Sequence, residues 1–359
     1  MSQMAVYAVT RAGARLGHEL ASALDGELFL PRRLSDEPGV HFFDSLPDCL
    51  AETFSAFRGH VFVCAAGIAV RAIAPHLRSK ASDPAVVVLD ETGRFAVSLL
   101  SGHLGGANDL ALTVAETVGA TPVVTTATDN AGVPAVDLLA RRLGMAVADA
   151  SKIKHVSAAL LEGRRVTLFD PEDRLGARDD PALAGHFEHV SDPALLDPDQ
   201  PSVWVHWKLP PRDLRAGKLL ALHPRTLTAG IGCRRGASRD EILAALKPAL
   251  DQRNLAQAGL GYLASIDLKS REPGLVAAAH ELGLELRTFT AAELDRVETP
   301  GRSPRVKDKV GTASVSEASA LLAAGPGARL LAPKQVHGNV TVAVALSPHP
   351  LSVEKTWRD

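Results

Sequence analysis

Aromatic residues make up only 4% of this 359-residue chain. Stacking platforms for nucleic-acid bases need such rings, so that binding mode is excluded. Positive charge is not in excess either, because the formal net charge is −2. No global field recruits phosphates, and neither a nucleic acid nor a membrane surface is an expected partner. The three cysteines, Cys49, Cys64 and Cys233, lie far apart. An odd, scattered set is no disulfide framework and points to a reducing compartment. The longest apolar run, 61–70, stops at Arg71 and is too short to span a bilayer. The N-terminus reads as a strand followed by a helix, without the order of a signal peptide. The expected location is the cytoplasm. Neither a C-x-x-C nor an H-E-x-x-H pattern occurs, and His186-x-x-His189 lacks a third ligand in register, so no metal site is expected.

Apolar residues are plentiful at 46%, and the length asks for two or three cores. The fold class is α/β. Residues 1–144 alternate strand and helix signals and predict a Rossmann-like open-sheet domain. Its expected strands are 5–9, 60–65, 85–89, 94–100 and 122–125, with Asp90-Glu91-Thr92-Gly93 as a hairpin turn. Residues 145–224 are rich in Asp and Pro, which break regular elements. They read as a small middle α/β domain with strands at 165–169 and 203–207, or as an elaborated linker. Residues 225–359 predict a C-terminal α/β domain with a mixed sheet. Three capping boxes, Ser238/Glu241, Thr290/Glu293 and Ser314/Glu317, open its helices. The loop 298–309 carries Arg302, Arg305, Lys307 and Lys309 among prolines.

Glycine-rich turns joining strands to helices recur, and the densest is Ser101-Gly102-His103-Leu104-Gly105-Gly106-Ala107-Asn108-Asp109. Helix N-termini present unpaired amides, and missing side chains let an anion approach them. Histidine titrates near neutrality and both gives and takes protons. His103 is therefore the candidate base, or else a turn cap, with Glu91, Asp109 and Asp129 at or beside predicted strand ends of the same domain, where ligands gather in open α/β sheets. Thr126 with its neighbours supplies hydroxyls for a ligand or for a helix cap. Gly67 and Arg71 stand at a second such turn. Further along, Gly230-Ile231-Gly232-Cys233-Arg234-Arg235-Gly236 departs from a dinucleotide fingerprint by one residue and lacks its distal acid. Arg234 and Arg235 suit a carboxylate or phosphate, or are solvated in a tight turn. Cys233 reads as a packed residue. Asp267, Lys269 and Glu272, with Lys334 and Gln335 after a further strand, form a second binding surface or solvated loop charge.

Together these segments resemble one family, that of cobalt-precorrin-5A hydrolase. The resemblance is carried by 63–75, 83–91, 98–108 and 125–129 for its N-terminal domain, and by 230–236, 265–269, 333–335 and 338–343 for its C-terminal domain. It covers most of the chain outside the middle. One departure is Ser316, where many relatives carry cysteine; a packed position is expected there. The resemblance implies a cobalt-containing tetrapyrrole substrate with a δ-lactone and carboxylate side chains. It implies lactone opening, release of acetaldehyde and formation of cobalt-precorrin-5B. No dissociable cofactor is implied, since the cobalt belongs to the substrate, and other enzymes of cobalamin biosynthesis are implied partners. Catalytic His103, Glu91 and Asp109 are expected. Substrate contacts are expected from Gly67, Arg71, Gly102, Gly105, Gly106, Asn108, Thr126, Asp129, Gly232, Arg234, Arg235, Asp267, Lys334 and Gln335. The C-terminal part also resembles a small stand-alone protein of the aerobic pathway, which leaves a non-catalytic corrinoid carrier as the alternative.

Overall fold

The computed structural model describes residues 4–34, 39–79, 82–103, 105–126, 131–300 and 314–351. Asp129 and the basic residues Arg302, Arg305, Lys307 and Lys309 lie outside them. The chain divides into two compact units, Met1–Leu138 and Leu139–Asp359.

The first unit is built on β1 (Met4–Ala8), β2 (Glu27–Pro31), β3 (His41–Phe43), β4 (Gly59–Val63), β5 (Ala85–Leu89), β6 (Phe95–Leu100) and β7 (Thr121–Val123). They form one sheet in the order β3-β2-β1-β4-β5-β6-β7. That is the strand order of a doubly wound fold. Strands β1 to β5 run parallel, β6 runs against β5, and β7 runs with β6. Helices α1 (Arg11–Ala23), α2 (Leu46–Thr53), α3 (Ala66–Ile73) and α4 (Ala107–Val118) pack on this sheet. All five residues of β1 are buried. Val6 and Ala8 face a core shared with α1 and α4, while Ala5 and Tyr7 face one shared with α2 and α3. Burial on both faces explains why the central strands read as unbroken apolar runs. β2 and β3 escape a reading by alternation because they are short and carry Glu27, Pro31 and an exposed His41.

His60 on β4 is fully buried between Phe54 and Tyr7. Its Nε2–H donates to the Phe54 carbonyl at 3.1 Å, the neutral form. Burial pulls its pKa down to about 4. The unfolded chain, with an imidazole near 6.5, then binds the proton more readily. Stability of this unit is expected to be intact above pH 6.5 and to fall by about 1.4 kcal/mol per pH unit as pH drops from 6.5 toward 4. Denaturant melts of the parent and of His60→Gln at pH 7 and pH 5 check this, because the slope in that window should shrink in the variant.

The second unit holds two sheets. β8 (Met145–Val147), β9 (Val166–Phe169), β10 (Phe187–Val190), β11 (Ser202–Val205) and β12 (Leu219–Pro224) form one, in the order β10-β9-β11-β12-β8. Only β8 is antiparallel within it. The middle region is thus a folded sheet and not a linker. Its Asp-rich breaks are ordered turns, and buried Asp170 accepts the amides of Arg174 and Leu175 at 2.9 and 2.8 Å. β13 (Leu227–Cys233), β14 (Leu260–Ile266), β15 (Glu285–Phe289), β16 (Arg329–His337) and β17 (Val340–Leu346) form the other, in the order β15-β14-β13-β17-β16. It is mixed, because β17 runs against both β13 and β16. Leu227, Ala229 and Ile231 pack toward the helices Arg239–Asp251 and Pro273–Leu282. Gly230 faces the helix Val315–Ala324 on the other side. The boxes at Ser238 and Thr290 close as expected. The third forms only in part: buried Glu317 accepts from the Ser314 hydroxyl at 3.3 Å through Oε2 and from the Lys334 amide at 3.0 Å through Oε1, but Ser314 caps no amide. Ser316 is a packed position, 1% exposed on that helix. Among the described residues no helix is long and apolar enough to cross a membrane.

Candidate active site

Strand direction divides the expected residues of the first unit. β4 and β5 are parallel, so Gly67, Arg71 and Glu91 follow their carboxyl ends at one sheet edge. β6 runs the opposite way, pairing Leu100 with Val86 at the start of β5. His103 therefore emerges at the other edge, joined by Thr126 beyond β7. β5 spans five residues, which at about 3.3 Å each sets the edges roughly 16 Å apart. Glu91 does not stand beside His103. The expectation failed because it counted every strand's carboxyl end as one edge, which holds only for parallel neighbours.

At the His103 edge the glycines serve the turn. Ser101 has φ of 57°, unusual for a residue with a side chain. A Cβ on Gly105 would lie 2.3 Å from that of Ser101. Gly106, with φ of 88°, is the N-cap of α4. The amides of Gly106, Ala107 and Asn108 donate to the carbonyls of His103, Ser101 and Gly102 at 3.0, 3.1 and 3.0 Å. These three amides are satisfied within the turn and do not form the anion cradle that the glycine pattern predicts. Asn108 is a brace as well. Its Oδ1 accepts from the Ser98 hydroxyl at 2.7 Å and its Nδ2 donates to Thr126 at 3.0 Å. The network ties β6, α4 and the segment after β7 together, and Gly102 has no Cβ because one would meet Asn108 Oδ1 at 2.6 Å.

His103 rises from this braced turn with its side chain 17% exposed, and its Nδ1 lies 3.6 Å from Oδ2 of Asp137. Asp137 is 3% exposed, in the first turn of the helix Val136–Arg142. Its Oδ1 is buried and has no hydrogen-bond partner. Sequence reading missed this residue. The available signal was an acid interrupting the apolar stretch Val136, Leu138, Leu139, Ala140. Asp109 lies one turn into α4 and is partly exposed.

At the other edge Arg71 is exposed, and its guanidinium turns back to the Gly67 carbonyl at 3.0 Å. In the second unit, β13 and β14 are parallel, so Gly232, Arg234, Arg235 and Asp267 gather at one edge. Arg234 and Arg235 are exposed there. The turn is held by Glu272, which accepts the Gly236 amide at 2.8 Å and pairs with Lys269 at 2.7 Å. Asp267 caps the Leu268 amide. Burial pushes the Cys233 thiol up, away from nucleophilic behaviour. Lys334 and Gln335 do not follow a strand but sit inside β16, which extends to His337, and Gln335 Nε2 donates to Gln252 at 2.9 Å. Among the described residues no group of three or more His, Cys, Asp or Glu is placed to hold a metal ion.

Comparison with known proteins gives this frame a class. Residues 48–129, 134–224 and 227–345 match three families described as Cobalamin synthesis G N-terminal, Cobalamin biosynthesis central region and Cobalamin synthesis G C-terminus. They follow one another in the order of a cobalamin-biosynthesis protein. Cobalt-precorrin-5A hydrolase of Salmonella typhimurium is 35% identical over 353 residues, covering 93% of each chain. The protein of the same name from Priestia megaterium is 30% identical over 361 residues, covering 96% of this chain and 95% of that one. The chain belongs to the cobalt-precorrin-5A hydrolase family. Protein CobE of Sinorhizobium sp. is 32% identical over 131 residues, which is 36% of this chain and 84% of that one.

Proposed function

We propose that this chain hydrolyses cobalt-precorrin-5A in cobalamin biosynthesis, opening the lactone and releasing acetaldehyde, with His103 as general base. Similarity along nearly the whole chain to proteins of that name supports the reaction. The carrier alternative is not favoured, because likeness to CobE spans only 36% of the chain. The observation that carries the site is His103 itself, largely covered yet reachable on a turn braced by Asn108. Water adds to the lactone carbonyl as the imidazole takes its proton, and the ring opens to a carboxylate and an alcohol. The freed hydroxyl then loses its proton as the carbon–carbon bond breaks, the bond's electron pair stays with the macrocycle, whose carbon takes up a proton, and acetaldehyde departs. An oxyanion forms in the first step and needs donors. The Gly106 amide is engaged with the His103 carbonyl, which leaves that of Gly105 as the proposed donor.

The substrate carries its own cobalt, and no dissociable cofactor takes part. Arg71, Arg234 and Arg235 are exposed, and each guanidinium suits a bidentate contact with a carboxylate. The work is done in the cytoplasm alongside other enzymes of the pathway. The test is release of acetaldehyde from cobalt-precorrin-5A, coupled to alcohol dehydrogenase and followed as loss of NADH. One equivalent per substrate consumed is expected. Tight binding with no acetaldehyde would return the carrier reading.

A further inference from the structure

Asp137 has the features of a group held for a purpose beyond packing. It is a carboxylate at 3% exposure, and one of its oxygens has no partner. Burying an ion in this way is costly, and such unsatisfied groups are rare in folded proteins. Its place in the first turn of a helix favours negative charge there. That accounts for a carboxylate on the helix but not for one turned inward toward an imidazole. The other oxygen, Oδ2, stands 3.6 Å from His103 Nδ1. This is an ion-pair distance that needs only a small closure to become a hydrogen bond, as such contacts often do once substrate is bound.

We infer that Asp137 is the positioning residue of His103. Oδ2 accepts the Nδ1 proton and fixes the imidazole as the Nδ1–H tautomer. Nε2 is then the nitrogen that carries no proton, and it is the one that acts as base toward water. As water adds to the lactone, its proton passes to Nε2, and the imidazolium that results is stabilised by the carboxylate. Asp137 acts only through the imidazole and never touches the substrate. The inference rests on the reading of His103 as the base. It adds the residue that chooses which nitrogen acts.

The first measurement needs no substrate. In the full-length protein, ¹⁵N NMR of His103, assigned by its loss in His103→Asn, should show the proton on Nδ1. Asp137→Asn should shift the ring toward the Nε2–H tautomer, and Asp137→Glu should largely restore the parental signature. With cobalt-precorrin-5A, Asp137→Asn should lower kcat by about tenfold to a hundredfold with KM little changed. A parental ring protonated on Nε2 would overturn the inference even if the variants failed to fold. So would a folded Asp137→Asn with the parental tautomer and kcat. His103→Asn turning over at the parental rate would instead remove the reading of His103 as base, and that measurement does not involve Asp137.

Discussion

His103→Ala is expected to lose about 10²–10⁴ in turnover while still binding the corrinoid substrate, the range a general base contributes. The loss should fall on kcat, because a general base acts in the chemical step and not in holding the substrate. His103→Asn is the sharper variant. Asparagine retains polar groups able to bond within the turn but cannot take a proton at neutral pH. Backbone bonds from Gly106, Ala107 and Asn108 to the carbonyls of His103, Ser101 and Gly102, with the Asn108 side chain, hold the turn, so both variants should fold. Equal thermal midpoints with unequal kcat would establish chemistry. A parental rate in His103→Asn would make the histidine a structural cap, and Asp109 would become the residue to test at this edge.

The largest expected effect on stability is at Gly230. This glycine lies in β13, the middle strand of its sheet, under the helix Val315–Ala324. An added Cβ would stand 1.9 Å from the Ser316 carbonyl oxygen and 2.8 Å from the Ala320 amide nitrogen. Both atoms are helix backbone, so no side chain can swing away and the helix itself must lift. Overpacking of this kind costs about 3 kcal/mol, the upper part of its usual range. For a unit of this size that lowers the thermal midpoint by roughly 6–12 °C. Gly185→Ala is the control, since its added Cβ would meet nothing within 4 Å. Circular-dichroism melts of the two variants should separate clearly. Equal midpoints would mean that the helix rests less tightly on β13 than its geometry implies.

Local chemistry decided much of this protein before any long-range contact formed. Apolar runs set β1, β4 and β5, since strands buried on both faces must be apolar throughout. Ser238 with Glu241 and Thr290 with Glu293 set two helix starts, because those bonds close within four residues. The glycine turn around His103 and the long motifs that carry the family resemblance were legible for the same reason. Strand direction was legible too, because the hairpin read at Asp90 makes β6 antiparallel to β5, and that alone places Glu91 and His103 at opposite edges. The second partner of Glu317, the Lys334 amide on β16, was not legible, because the fold brings it there from another element. Asp137 lies 34 residues beyond His103, and only the tertiary fold brings its carboxylate to the imidazole. The sequence determines which residues can do acid–base chemistry; packing and strand direction decide which of them meet.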